Sequence, residues 1–317
     1  MHLLQPPLFR DTNQDLAEAF IYRHMYTLCR NFNIMTTGRT YVQLLKEILR
    51  NSIKEVDTAL IEDDTGFPIS TPHDLERWRR TIKQGLKPTM SSFQGMIHIA
   101  YELVEGRLDA VIHLTDWADK SGKPDSAVLS REANVHNVPA ATDVETAEAF
   151  IQSWKATLAK PSTTRPLFIK REKPKYPPLK GLKKGDKVLA MVAHDNTKLE
   201  LCRFAVQNAS HIFNHYDYIL STGTTGGWIK RFMKATGRGP DEIKKIRCCN
   251  SGPKGGDIQI AYAVVKELCH KIIFLQDPSV SHAHDSDIRL FEQAVLARDV
   301  KVELATNIES ASLLIGV

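Results

Sequence analysis

The carboxyl-terminal part of the chain alternates short apolar runs with helix-like segments in a regular way. Lys187 to Ala193, Tyr218 to Ser221, Ile246 to Cys249, Ile272 to Leu275 and Val300 to Ala305 are strand candidates, each followed by a segment with helical spacing. Strands that alternate with helices predict a parallel sheet with right-handed crossovers. Polar clusters fall where the strands end: HD at His194 and Asp195, TGTTGG at Thr222 to Gly227, NSGPKGGD at Asn250 to Asp257, QDP and then HAHDSD between Gln276 and Asp287, and TN at Thr306 and Asn307. Open α/β sheets bind ligands at this edge, so clusters far apart in sequence are expected to converge.

The amino-terminal part is less regular. Asp15 to Arg30 carries Leu16, Phe20, Met25 and Leu28 at helical spacing, and Phe32 to Met35 is a short strand candidate before TTGRT at Thr36 to Thr40. A helix is predicted over Tyr41 to Asn51. Residues 57–89 read as an irregular insertion, with Gly66, Pro68 and Pro72 and a very polar helix candidate around Asp74 to Lys83. Helical spacing resumes at Ile97 to Glu105, Ala110 to Leu114 is an apolar strand, Ser126 to His136 is helical, and Pro139 to Thr142 leads into a helix from Val144.

Composition narrows the class. The 317 residues are 42% hydrophobic and 25% charged, ordinary globular material long enough for two domains. No apolar run reaches membrane-spanning length, and MHLLQPPLFR has no basic region followed by an apolar stretch, so a soluble cytoplasmic protein is expected. Cys29, Cys202, Cys248, Cys249 and Cys269 show no CxxC spacing and read as reduced core residues. Many basic residues behind the net charge of +5 sit in a Pro- and Lys-rich stretch at residues 157–186, a solvated linker. Contact of that stretch with nucleic acid is a competing reading, but no aromatic pattern beyond Tyr176 accompanies the charge.

The strand-end clusters carry the candidate chemistry. In SGPKGGD, Ser251 to Asp257, three glycines let the backbone approach a ligand, the following helix start offers free N–H groups, and Asp257 supplies either a helix cap or a base. The TGTTGG turn either caps its helix or cradles an anion, without the lysine of a nucleotide P-loop. Lys198 adds positive charge if it is not simply solvated. His194 and His284 can polarise a carbonyl or move a proton, or be structural. Asp195, Asp277 and Asp287 read as caps or as orienters of the histidines. His282, His284 and Asp285 match no standard ligand spacing, so no metal is expected. A base, imidazole acids and a phosphate cradle suit proton abstraction beside the carbonyl of a small phosphorylated substrate.

The two parts of the chain also resemble each other. Thr37 and Gly38 align with Thr222 and Gly223, QGMIHIAY (Gln94 to Tyr101) with GGDIQIAY (Gly255 to Tyr262), Asp116 with Asp277, and ATDVETA (Ala141 to Ala147) with ATNIESA (Ala305 to Ala311). The offset falls from 185 residues at Thr37 to 161 at Tyr101, so the first copy carries 24 additional residues between those motifs. Duplication is the simplest account. Met96 stands opposite Asp257, Lys123 opposite His284, and Pro6 and Pro7 interrupt the only candidate for a first strand, so the first copy is expected to be inactive.

VAHD with Lys198, TGTTG, SGPKGGD, Asp277 with Pro278, and HDSD, in this order and spacing, resemble the methylglyoxal synthase family. The likeness covers Lys187 to Ile315, with a diverged echo over Phe32 to Ile151. It implies two tandem three-layer α/β/α domains, each around a mainly parallel sheet, at residues 1–156 and 187–317. The implied reaction turns dihydroxyacetone phosphate into methylglyoxal and phosphate without cofactor. In it Asp257 takes the C3 proton and His284 serves the oxygen side. His194, Lys198, Thr222, Gly223, Thr224, Thr225, Ser251 and Gly252 hold the phosphate, and Asp195, Asp277 and Asp287 support the histidines and the carboxylate. The family implies a homo-oligomer, here with a fused copy acting as a pseudo-dimer. Members usually continue beyond the point matching Val317, and DVKVELATN, Asp299 to Asn307, reads as a strand about two residues longer than their pattern. A noncatalytic module that binds a phosphorylated effector is the alternative, with Arg39 in the first copy a candidate contact.

Overall fold

The computed structural model describes residues 2–4, 12–37, 72–89, 92–114, 124–159, 168, 177–277, 279, 285–297 and 301–317. The chain divides into two compact units, Met1–Glu172 and Lys173–Val317, and each contains a five-stranded sheet whose strand pairs are all parallel.

The first unit contains β1 (His2–Leu4), α1 (Thr12–Asn31), β2 (Ile34–Thr36), α2 (Pro72–Gly85), β3 (Leu86–Pro88), α3 (Ser92–Val104), β4 (Val111–His113), α4 (Pro124–Val135), β5 (Ala140–Ala141) and α5 (Val144–Ala159). Its strand order is β3-β2-β1-β4-β5. The stretch expected to be irregular therefore contributes a helix and a strand over Pro72–Pro88. It looks polar because α2 buries Trp78 and Ile82, one turn apart, while much of its remaining surface is charged. Pro88 is tolerated because β3 is an edge strand. A first strand does exist: His2–Leu4 pairs with β2 and β4 at the centre of the sheet, ahead of the two prolines. Phe168, expected in the solvated linker, packs edge-on against Phe32 and Trp154 of this unit's core. The helix expected over Tyr41 to Asn51 lies outside the described residues.

The second unit contains β6 (Val188–Ala193), α6 (Lys198–Gln207), α7 (Ala209–His215), β7 (Tyr218–Ser221), α8 (Gly223–Ala235), α9 (Pro240–Lys244), β8 (Ile246–Cys248), α10 (Gly256–Val265), β9 (Lys271–Leu275), α11 (Asp285–Val295), β10 (Glu303–Ala305) and α12 (Ile308–Ile315). Its order, β10-β9-β6-β7-β8, repeats the connectivity of the first sheet. β6 is buried at every position, which is why VLAMVA is continuously apolar instead of alternating. Leu189, Met191 and Ala193 pack with residues of α6, α7, α8 and α12 in one core cluster. α10 is buried nearly all round and packs against α11. Of the strand expected from Asp299, residues 299 and 300 lie outside the described residues, and β10 spans Glu303–Ala305. It pairs with β9, with Glu303 opposite Lys271 and its N–H donating to the His270 carbonyl at 2.9 Å.

The carboxyl end of the expected linker is fastened to the second unit. Leu179 is buried, and Arg247 on the edge strand β8 donates to the carbonyls of Pro178 and Lys180 at 3.3 and 2.6 Å while lying over the Tyr218 ring. All five cysteines are free thiols, and burial pushes Cys29 and Cys269 up to about 12. No helix among the described residues is long and apolar enough to cross a membrane.

Candidate active site

At the carboxyl edge of the second sheet a cavity of about 290 Å³ opens between the ends of β6, β7 and β8. Its lining brings together His194, Asp195, Lys198, Thr222, Thr224, Ser251, Gly252 and Asp257, with Val192, Ala193, Pro253 and Phe274 as the remaining walls. β6 delivers His194 and Asp195 directly and Lys198 through the first turn of α6. β7 delivers the threonine turn, and β8 delivers the Ser251 turn that leads into α10. The starts of α8 and α10 thus sit at one edge, where the helix dipoles favour an anion.

The loop from Asn250 to Asp257 is shaped by close backbone contact. Gly255 holds φ at 83°, in the left-handed region. At Gly256 a β-carbon would stand 2.1 Å from the Asn250 carbonyl oxygen, so only glycine lets α10 start this close to the preceding turn. The turn is closed by hydrogen bonds from the Lys254 and Gly256 amides to the Ser251 carbonyl, at 2.9 and 3.0 Å. Asp257 follows in the first helical turn and is only 5% exposed. A carboxylate in the first turn is favourably placed in the helix field, but one that lines a cavity while so deeply buried is also available to a bound molecule.

His194 has a defined tautomer when neutral. Its Nδ1 accepts the Asp277 backbone N–H at 2.8 Å, which leaves the proton on Nε2. The ring also meets Phe274 edge-on, with centroids 5.0 Å apart. Lys198 is only 9% exposed, not a solvated surface lysine, and its ammonium pairs with Asp195, whose carboxylate is largely exposed. The Thr222 hydroxyl donates to Thr225 at 3.2 Å, and Thr225 is fully buried behind the cavity. Gly223, like Thr225, supports the turn without entering the lining.

The three acidic residues are held by different partners. Asp277 meets His194 through its backbone, while its carboxylate accepts from Ser279 and from Asn196, the latter at 2.7 Å. Those hydrogen bonds, Ser279's first, hold its carboxyl down at about 2. Asp195 pairs with Lys198. Asp287 is completely buried on α11 and accepts from the Ser286 hydroxyl at 3.3 Å, outside the cavity lining. His284 and His282 lie outside the described residues. Among the described residues no group of three or more His, Cys, Asp or Glu is placed to hold a metal ion.

Sequence reasoning missed Asn250 and Gln259. The Asn250 N–H donates to the buried Gln259 side-chain oxygen at 2.7 Å, and the Asn250 carbonyl accepts from the Gly223 amide at 2.8 Å. The available signal was a single amide among the apolar residues of IQIAYAVV.

Fold and site together define a parallel α/β unit with a polar cavity and a buried carboxylate at its sheet edge. Curated methylglyoxal synthases match the chain. The one from Borreliella afzelii (strain PKo) is 35% identical over 131 residues, covering 41% of this chain and 92% of the relative. That from Clostridium perfringens (strain SM101 / Type A) is 35% identical over 128 residues, 40% of this chain and 97% of the relative. A crystal structure of methylglyoxal synthase from Elizabethkingia anophelis NUHP1 aligns at 26% identity over 42% of this chain and 78% of that chain, with a TM-score of 0.35. No family model matches the sequence. The chain belongs to the methylglyoxal synthase family, and the matched length fits within one of its two units.

Proposed function

We propose that the second unit converts dihydroxyacetone phosphate to methylglyoxal and inorganic phosphate. The observation that carries this reading is the lining of one cavity by eight of the residues expected to bind or transform the substrate. At about 290 Å³ the space lies at the small end for ligand pockets and suits a three-carbon phosphate better than a nucleotide.

In this reading the phosphate sits against the Thr222–Thr225 turn, the Ser251–Gly252 turn and the Lys198 ammonium. Remote binding of this group fixes the three-carbon skeleton relative to Asp257. The Asp257 carboxylate takes a proton from C3, beside the carbonyl, and electron density moves onto the carbonyl oxygen as an enediolate. His194, carrying its neutral-state proton on Nε2, stabilises oxygen charge as a hydrogen-bond donor. The enediolate then loses its hydroxyl proton as the C–O bond to phosphate breaks, releasing inorganic phosphate and the enolate of methylglyoxal. Proton uptake at carbon completes the product, so atoms and charge balance without an external oxidant or reductant.

The first unit is read as a noncatalytic copy. It is supported by the identical strand connectivity of the two sheets and by the aligned helices α3 and α10, in which buried Met96 takes the place of Asp257. A thioether cannot accept a proton at neutral pH. The test is to incubate the full-length protein with dihydroxyacetone phosphate and quantify methylglyoxal and phosphate. Equal molar yields above the uncatalysed rate support the proposal, and absence of both overturns it.

A further inference from the structure

We infer that Gln259 is a positioning residue, holding the helix that carries Asp257 in register with the phosphate cradle through the Asn250 peptide. This inference rests on the reading of the site given above. Gln259 follows Asp257 by two residues on α10 and is completely buried. Its side-chain oxygen accepts the Asn250 N–H at 2.7 Å. The same Asn250 residue gives its carbonyl to the Gly223 amide, at 2.8 Å, and its side-chain amide to the Lys254 carbonyl, at 3.1 Å.

Three walls of the cavity therefore meet at one residue. The backbone of Asn250 ties α10 to the start of α8, where Thr222 and Thr224 stand, and its side chain closes the Ser251–Lys254 turn. The Asn250 carbonyl is also the atom on which Gly256 sits, so the junction has no slack toward the helix. A shift of Asn250 changes the separation between the carboxylate and both halves of the cradle. Gln259 supplies the side-chain acceptor for this junction, and a buried N–H left without an acceptor costs more than the bond itself contributed. The aligned position in the first unit is His98, which instead faces Glu102 at 3.5 Å on its own helix α3.

The test uses Gln259→Met, which keeps the length of the side chain and suits an apolar helix but removes the amide acceptor. Inorganic phosphate is titrated into wild-type and variant full-length protein by calorimetry. Amide exchange is followed at Asn250 and Gly223, and kcat and KM are measured with dihydroxyacetone phosphate. The expected result is a phosphate Kd about tenfold weaker, from the loss of one buried hydrogen bond in the cradle. Exchange should accelerate at Asn250 and Gly223 while the middle of α10 stays protected, and kcat should fall about 100-fold from misplacement of the base. A merely structural role would leave fewer binding-competent molecules at unchanged Kd, with exchange faster throughout α10 and β8, and that result overturns the inference. Unchanged Kd and unchanged protection overturn it equally. If wild-type protein binds phosphate but makes no methylglyoxal, weakened binding with local exchange in the variant supports the positioning role while the proposed reaction fails. If wild-type protein binds no phosphate, the cradle and this inference fall together.

Discussion

A methyl group at Gly256 would stand 2.1 Å from the Asn250 carbonyl oxygen, 2.9 Å from its carbonyl carbon and 3.0 Å from the Ser251 carbonyl carbon. All three atoms are backbone, so no side chain can rotate away. Ordinary contact begins near 3.4 Å, and Gly256→Ala must therefore separate α10 from the Asn250 turn by about 1.3 Å. That displacement strains the Gly223-to-Asn250 and Asn250-to-Gln259 hydrogen bonds, worth about 1 kcal/mol each. It also changes the separation of Asp257 from the cradle by an amount that costs about 100-fold in rate at a preorganised site. The assay is kcat/KM for dihydroxyacetone phosphate beside calorimetric phosphate binding, with circular dichroism to confirm folding. Gly227→Ala on the first turns of α8 is the control, because nothing lies within 4 Å of its added carbon. It is expected to retain activity and to gain up to about 1 kcal/mol in stability. A folded Gly256→Ala protein with wild-type kcat/KM and phosphate affinity would refute the reasoning about close packing at this loop.

Two further outcomes follow from buried polar groups. Lys198→Met should weaken inorganic phosphate binding by at least about tenfold through loss of a charge-assisted contact, and the loss should shrink at high salt, as titration calorimetry at two ionic strengths would reveal. His113 in the first unit is held neutral by burial, with its pKa lowered from 6.5 to about 4. Below pH 6.5 the unfolded chain takes up a proton that the folded unit refuses. This contribution is therefore present above pH 6.5 and is lost as pH falls toward 4, amounting to about 3 kcal/mol. Urea unfolding across that range, in wild-type protein and His113→Phe, checks the sign: the variant should lose that part of the acid sensitivity.

The legibility of the molecule in its sequence follows burial. β6 and β9 are covered on both faces and announce themselves as apolar runs. β1 and β3 are three residues long, and Lys87 and Pro88 disguise β3 as loop. α2 was legible as a helix, but its membership of the core rests on two residues, Trp78 and Ile82. The site was legible because parallel strands bring their carboxyl ends to one edge, so His194, Thr222, Ser251 and Asp257 needed only correct strands to converge. What stayed hidden depends on which atom of a residue is used. Asp277 meets His194 through its amide and spends its carboxylate on Asn196 and Ser279, and no spacing rule distinguishes those roles. The Asn250–Gln259 junction joins a backbone N–H to a side chain nine residues away, a pairing fixed only when α10 docks.

The claim that Asp257 is the base of a phosphate-eliminating reaction is tested most directly by phosphorus NMR of dihydroxyacetone phosphate with wild-type protein and with Asp257→Asn. The wild-type protein should convert the phosphate-ester signal to inorganic phosphate with methylglyoxal in equal amount. The variant should bind inorganic phosphate yet lose turnover by at least about 100-fold, the scale of a positioned general base. Inorganic phosphate appearing at the same rate with both proteins, or with neither, would contradict the account.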